Sequence, residues 1–255
     1  MLNFLKNILG SKSKKKIIIF CGAGISAESG LNTFRDKDGL WTKYNIDEVC
    51  NLKTFQKNKE KVFEFHNLVK TEILKAKFNQ AHKDLADIQK QYGIENVHIF
   101  TSNIDNLLEQ AGCKNVIHVH GDIHGMKCLD CTEQWNIGEN PYVVDDFCPK
   151  CLSKNTKPDI IFFNEQAEQY HILNKYFESS GEIINKQIVP NIKLLVGTSF
   201  NVLPVHVFRI NRGETILVDP NPNIAGYERD FKKIIRKNAV EGIAEAKEII
   251  RLLYP

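Results

Sequence analysis

Residues 16–27 read Lys16-Ile17-Ile18-Ile19-Phe20-Cys21-Gly22-Ala23-Gly24-Ile25-Ser26-Ala27. The apolar run Ile17, Ile18, Ile19 and Phe20 reads as a buried strand, and it feeds a glycine turn at Gly22. Gly22, Gly24 and Ala27 match G-x-G-x-x-A. After a strand, this pattern places backbone N–H groups and a helix N-terminus where a pyrophosphate can be received. An acidic residue about twenty positions on ordinarily completes a ribose contact. Asp47 and Glu48 stand at that distance, but no strand pattern precedes them.

Further along the chain, short β-rich runs recur at Val97 to Phe100, Val116 to His120, Asp159 to Phe163, Lys193 to Val196 and Thr215 to Val218. Most are separated by stretches of helical period, which predicts an α/β fold: a Rossmann-like parallel sheet with helices on both faces. Val62, Phe65, Val69, Ile73 and Ala76 recur at three and four residues and predict an amphipathic helix from about Asn58 to Phe78, with a second running to Gln91. A simple crossover needs one helix, so an inserted helical lobe is expected at about 51–92. A second interruption, at about 121–157, has little apolar periodicity and four cysteines, so something other than a hydrophobic core is expected to hold it.

Those cysteines are Cys128-x2-Cys131 and, sixteen residues on, Cys148-x2-Cys151, the two-knuckle zinc spacing. Four thiolates complete a tetrahedron and leave no open position, which makes the expected Zn2+ structural. Four unrelated thiols or two disulfides would be the alternatives, but the cysteines cluster within 24 residues and no secretory core precedes them. Cys21, Cys50 and Cys113 are isolated and read as small buried hydrophobes. Asp219 closes the run Thr215 to Val218 and can either initiate a turn before Pro220 or accept from ribose hydroxyls at a strand's carboxyl end.

The chain has 255 residues, 25% charged and 42% hydrophobic, with a net charge of +3. That describes an ordinary globular protein of one large domain or a medium one with an insertion, and excludes disorder and coiled coil. Both charge signs are interspersed, which argues against nucleic acid as a partner. No apolar run reaches the ~18 to 20 residues of a membrane span. Residues 1–15 read as a tether, amphipathic through Leu2, Leu5, Ile8 and Leu9 and then basic. A cytoplasmic protein is expected.

Beyond the glycine turn, Glu28, Ser29 and Gly30 continue the stretch, followed by Thr33-Phe34-Arg35-Asp36 and Gly39-Leu40-Trp41. Thr101-Ser102-Asn103-Ile104-Asp105, His120-Gly121, the four cysteines, Phe162-Phe163-Asn164-Glu165 and Gly197-Thr198-Ser199 come later. In that order these motifs resemble the sirtuins, NAD-dependent protein-lysine deacylases, over roughly residues 16 to 239. The resemblance implies a catalytic domain at 16–255 with NAD-binding parts at 16–50, 93–120 and 158–255.

It also implies the chemistry. NAD is a cosubstrate: the acyl oxygen of an acyl-lysine protein or peptide attacks ribose C1′, nicotinamide leaves, and free lysine and 2′-O-acyl-ADP-ribose result. Gly22, Ala23, Gly24, Ile25, Ser26, Phe34, Arg35, Trp41, Ser102, Asn103, Ile104, Asp105, Gly197, Thr198, Ser199, Asp219 and Ala239 would contact NAD. Asp105 and the Ile104 backbone would hold the carboxamide, and Phe34 would shield C1′. Helix capping is the competing use of Asn103 and Asp105. His120 and Asn103 would be catalytic. A neutral imidazole before a glycine at a strand's carboxyl edge suits removal of a ribose-hydroxyl proton. His118 and His124 are the neighbouring alternatives.

The peptide would add a strand beside residues 159–165, with Ile161 offering its carbonyl to the acyl-lysine N–H and Phe163, Asn164 and Glu165 lining the substrate segment. The family has Gln at Ser102, Gly at Asn164, Asn at Asp219 and Ile-Pro at Leu31-Asn32. Members that prefer succinyl or malonyl carry Tyr and Arg where this chain has His66 and Val69, so a neutral acyl group, acetyl, is expected. An NAD glycohydrolase or ADP-ribosyltransferase, and an NAD-sensing module without turnover, are the competing functions. A monomer is expected.

Overall fold

The computed structural model describes residues 16–31, 43–179, 181–184 and 187–254. The opening apolar run is β1 (Ile17–Cys21), with every residue buried. It pairs in parallel with β2 (Val97–Thr101) on one side and β9 (Ile192–Val196) on the other. With β3 (Ile117–His118), β10 (Glu214–Val218) and β11 (Lys233–Ile235), these form a six-stranded sheet in the order β11-β10-β9-β1-β2-β3. Both faces are covered, as an all-parallel sheet requires. Ile17, Ile19 and Cys21 pack toward α4 (Gln80–Tyr92) and α7 (Ala239–Leu253). Ile18 and Phe20 alternate to the other face and meet Leu173 and Phe177 of α6 (Tyr170–Glu178) and Phe208 of a 3₁₀ turn. Each such side chain contributes about 1.5–3 kcal/mol by burial.

Strand order reverses at β1. The chain steps from β1 to β2 to β3 in one direction, while β9, β10 and β11 lie in the other. A crevice therefore opens past the carboxyl ends of β1 and β9, where such sheets bind ligands.

A second sheet of three antiparallel strands is built from β4 (Gly121–Cys128), β5 (Gln134–Asn136) and β6 (Thr156–Ile160). This corrects the reading of Asp159 to Phe163 as part of the parallel sheet: its first half completes β6, and beyond it Phe163 makes one isolated bridge to Asn51. An apolar run alone does not say which sheet it joins. The second interruption also shares a hydrophobic core, contrary to expectation. Ile123, Met126 and Tyr142 pack with Val62, Phe63, Phe65 and Val69 of α3 (Lys59–Lys75) and with Ile160 and Phe162. Only its distal, cysteine-bearing end depends on other ties.

The strand expected at Val116 to His120 pairs only at Ile117 and His118, and Val119 still donates to the Thr101 carbonyl. His120 therefore sits in the link to β4. α4, expected within the inserted lobe, packs on the sheet through Ala81, Leu85 and Ile88. It is the crossover helix, and α3 is the insertion. The hairpin of β7 (Gly181–Ile184) and β8 (Gln187–Pro190) has no counterpart in the sequence reading. Among the described residues, no helix is long and apolar enough to cross a membrane.

Candidate active site

The turn after β1 and the turn after β9 touch through glycine. A Cβ on Gly22 would stand 2.6 Å from the Gly197 carbonyl oxygen, and one on Gly24 would stand 2.6 Å from the Gly197 Cα. Gly197 has φ +60 and would meet Gly24 and Ile25 in return, so no side chain fits at any of the three. The result is a backbone-only floor at the crevice, a shape that a diphosphate can approach closely.

Its amides are less free than the motif suggests. Those of Gly22, Gly24, Ile25 and Ser26 donate to the carbonyls of Val196, Gly197, Gly22 and Ala23. Among the described residues the Ala23 amide stands outside that set. Thr198 accepts the Phe200 amide at 3.4 Å, and Asp219, at the end of β10, accepts the Asn221 amide at 2.8 Å. That is the turn-initiating role, with the side chain 94% removed from solvent. Ala239 starts α7, where Glu28 accepts the neighbouring Val240 amide at 2.9 Å. Phe34, Arg35 and Trp41 lie outside the described residues.

Buried Ser26, in the short α1 (Gly24–Ala27), is the hub of the polar cluster above this floor. Its hydroxyl donates to Asp105 Oδ2 at 2.9 Å and accepts from Asn103 Nδ2 at 3.1 Å. His82 Nε2 lies 3.5 Å from the same hydroxyl. His82 Nδ1 lies 3.2 Å from the Asn79 backbone nitrogen and 3.0 Å from the Asn79 side-chain oxygen. Asp105 also accepts the Leu107 amide at 3.1 Å, so it caps the start of α5 (Leu107–Gln110) as well. Burial pushes the Asp105 carboxyl upward, and the bonds from Leu107 and Ser26 pull against it. Burial holds His82 down at about 4.

The three histidines around β3 and β4 are separated by their partners. His118 bridges the Asn103 carbonyl and Glu109, both at 2.9 Å. Burial, the largest effect, works against its protonation, but the Glu109 carboxylate prevails and its pKa is raised. His124 is held by Asp122 at 2.8 Å. His120 has its Nδ1 3.1 Å from the Ser102 carbonyl oxygen and its Nε2 2.7 Å from the Tyr170 hydroxyl. Burial lowers its pKa, opposed by the Ser102 bond. Burial thus favours the neutral form of His120, beside the Asn103–Asp105 loop. The Ser102 hydroxyl faces the Cys21 carbonyl at 3.5 Å, and Ile104 accepts the Ile123 amide, which ties this loop to β4.

The substrate segment expected from the sequence follows β6. The Ile161 amide donates to the His120 carbonyl at 2.9 Å. Phe163 exchanges bonds with the Cys50 carbonyl and the Leu52 amide, so its backbone is already paired. The Ile161 carbonyl enters no backbone pair among the described residues. Phe163 is 48% exposed, which excludes its reading as a core residue. Asn164 adopts φ 63, the left-handed region in which a glycine is the usual residue and Asn the best substitute, and its side chain donates to Asn51 at 3.0 Å. Glu165 folds back to accept the Phe162 amide at 3.0 Å.

At the distal end of the second sheet, the four cysteine sulfurs lie within 4.8 Å of one another. The Cys128–Cys151 and Cys131–Cys148 pairs are 3.6 and 3.5 Å apart. Edges of this size fit a tetrahedron with metal–sulfur bonds of about 2.3 Å. The two knuckles share one backbone design. Cys128 donates to the Glu133 carbonyl and Cys148 to the Ser153 carbonyl, each five residues on. The residue after each second cysteine, Thr132 or Leu152, has φ near +60.

Sequence reasoning missed His82, Tyr170 and Lys157. His82 alone carries a local signal, because Asn79-x-x-His82 is a capping box at the start of α4. Tyr170 meets His120 across 50 residues, and Lys157 meets Pro158, Ile160 and Glu165 close by in the chain but at no spacing that a motif marks.

Comparisons with known proteins point to one family. The family model described as "Sir2 family" matches residues 22–204. An NAD-dependent protein deacylase of Campylobacter jejuni is 38% identical over 229 residues, covering 90% of this chain and 93% of that protein. One from Helicobacter hepaticus is 37% identical, covering 94% and 98%. Among solved structures, a Sir2 homologue in complex with NAD superposes with TM-score 0.76 at 27% identity, covering all of this chain and 95% of the other. A Sir2 homologue mutant bound to 2′-O-acetyl-ADP-ribose gives 0.74 at 27%, covering 99% and 97%.

Proposed function

The chain belongs to the Sir2 family and is an NAD-dependent protein deacylase; from that premise we propose that it removes acetyl groups from protein lysines with His120 as the general base. The observation that carries the proposal is the convergence of Asn103 and Asp105 on Ser26, which directly follows the Gly22–Gly24–Gly197 floor, with His120 tied to the carbonyl of the adjoining Ser102. NAD supplies, as consumed cosubstrate, the ribose carbon that accepts the acyl oxygen, so the products are nicotinamide, free lysine and 2′-O-acetyl-ADP-ribose.

The residues divide this work. The glycine floor admits the diphosphate, and Asp219 stands at the carboxyl end of β10 for a ribose hydroxyl. Asp105 and Ile104 orient the carboxamide, and Ser26 holds Asp105 and Asn103 in register. His120, kept neutral by burial, takes the proton of a ribose hydroxyl at Nε2. Ile161 presents its carbonyl to the acyl-lysine N–H, with Phe163 beside it. Cys128, Cys131, Cys148 and Cys151 would hold one structural Zn2+, too far along the second sheet to take part in the chemistry. A cytoplasmic location is proposed with it, because a four-thiolate site needs reduced cysteines. A monomer is proposed as well, to be checked by light scattering.

The test is incubation with NAD and an acetyl-lysine peptide, beside His120→Ala, followed by mass spectrometry. Peptide-dependent O-acetyl-ADP-ribose, lost in the variant, is the expected result. Nicotinamide and free ADP-ribose without deacetylation would overturn it in favour of an NAD glycohydrolase or ADP-ribosyltransferase, and binding without turnover in favour of a sensor.

A further inference from the structure

His120 is held at both ring nitrogens. The Ser102 carbonyl can only accept, so the proton at this contact belongs to Nδ1, and a neutral ring then carries its lone pair on Nε2. That lone pair meets the Tyr170 hydroxyl at 2.7 Å, and the phenol O–H must be the donor. The two rings lie 5.9 Å apart at 52°, so the hydroxyl, rather than ring stacking, makes the contact. Among the described residues no carboxylate comes within ion-pair distance of either His120 nitrogen. His118 and Asp122, its neighbours two residues away, are engaged by Glu109 and His124. The Ser102 carbonyl and Tyr170 thus account for both of the ring's polar contacts.

Tyr170 is the first residue of α6 and is partly buried against the cluster under that face of the sheet. It stands five residues after Glu165, at the end of the stretch that leads out of the substrate segment. Its amide is tied to the Ala167 carbonyl at 3.1 Å, and the residue is only partly exposed. A phenylalanine would fill the same apolar space and lose only the hydroxyl.

We propose that Tyr170 is a latch on the base: its hydroxyl occupies the one lone pair of His120 that a ribose hydroxyl must reach, and it must release His120 for NAD to bind productively. The inference rests on His120 as the base. A donor to Nε2 also stabilises the neutral ring, so removing it raises the His120 pKa. The latch thus holds the resting imidazole in its working tautomer and competes with the cosubstrate for the same atom.

The full-length protein and Tyr170→Phe test this in two ways. Nitrogen-detected NMR of the His120 ring, with and without NAD, reads its tautomer and pKa, and steady-state kinetics at saturating acetyl-lysine peptide read NAD dependence. The expected results are a higher His120 pKa in the variant and a kcat/KM for NAD raised about two- to tenfold, the fold-change equivalent to one neutral hydrogen bond. In the wild type, NAD shifts the His120 Nε2 resonance. A mere packing role would lower kcat/KM and leave the pKa alone. An unchanged pKa, or a kcat/KM that does not rise, overturns the latch. If the variant does not fold, a wild-type Nε2 resonance that ignores NAD overturns it as well. Deacetylation that persists in His120→Ala would instead overturn the base reading, while NMR would still report the Tyr170–His120 bond, so the two failures are distinguishable.

Discussion

The Lys157 ammonium, fully buried, lies 3.0 Å from Glu165 Oε2, and the two close a clamp around the Ile160–Glu165 segment. Lys157 also donates to the carbonyls of Pro158 and Ile160 at 3.1 and 2.6 Å, and its ammonium lies 4.2 Å from the centre of the Phe162 ring. The same carboxylate oxygen accepts the Phe162 amide. Burial pulls the Lys157 pKa down and Glu165 pushes it up, with burial winning. Removing one partner strands a charge in the interior. Glu165→Gln is expected to cost about 3–5 kcal/mol in chemical denaturation and to raise KM for acetyl peptide, while the joint exchange Lys157→Met with Glu165→Leu restores most of the stability.

Two buried neutral histidines make the fold acid-sensitive. His66 and His82 are both held at about 4 by burial, below the ordinary 6.5. Because their folded pKa values are depressed, the unfolded chain binds protons first as pH falls. Stability is therefore full above about 6.5 and declines down to about 4, by about 3 kcal/mol per histidine at most. Urea denaturation at pH 7 and pH 5 should show this loss, and His66→Leu should shrink the difference. His118 works in the opposite sense: its raised pKa adds stability below the ordinary value that is lost as pH rises through the folded one. An unchanged midpoint between pH 7 and 5 would contradict the neutral-histidine account.

How far the sequence could be read follows from the range of each interaction. The run Ile17 to Phe20, the glycine turn and the two cysteine pairs are local patterns, and each stands where its spacing places it, the strand running one residue further to Cys21. The Asn at position 164 likewise marks a left-handed backbone that the fold demands. Asp159 to Phe163 could not be assigned to its sheet, because pairing with β4 is decided by partners over thirty residues away. The period of α4 says only that one face is apolar, not which surface that face meets, so its contact with the parallel sheet is invisible in the sequence. The role of Tyr170 depends on a contact spanning 50 residues.

The four sulfurs predict one zinc per chain. Elemental analysis of the purified protein should give a ratio near one, and Cys148→Ser should lower it well below half. Cys148 is fully buried and its sulfur faces that of Cys131, so its loss opens the tetrahedron. Chelation should destabilise residues 129–155 in hydrogen exchange, with the parallel sheet protected, because the sheet has its own core.

Ser26→Ala removes a hydroxyl that serves three partners at once. Asp105 loses a donor, Asn103 an acceptor, and His82 its neighbour. Each is buried, so the cost falls on unsatisfied groups rather than on one lost bond. A loss of at least about tenfold in kcat/KM for NAD is expected, with a smaller change in KM for peptide. Equal losses for both substrates would mean that the cluster supports the fold rather than the NAD pocket.

The proposed acyl preference rests on the face of α3 that meets Phe162. His66 stacks on that ring at 5.4 Å and 28°, directly beside Ile161 and Phe163 of the substrate segment. Its Nδ1 is held by the Val62 carbonyl at 2.8 Å, and burial keeps the imidazole neutral at assay pH. Val69, one turn on, is apolar and buried. Lys70 does not substitute, since its ammonium is bound to the Asn140 carbonyl at 2.6 Å. A succinyl carboxylate entering here would lose its hydration with no fixed cation to replace it, a penalty of about 1–3 kcal/mol or more for an unpaired charged group. Acetyl peptide should therefore exceed succinyl peptide in kcat/KM by at least about tenfold. Val69→Arg should narrow that ratio by improving the succinyl substrate, since a guanidinium can pair with the carboxylate through two bonds. Equal use of both acyl groups by the wild type would show that the channel does not run along this face of α3.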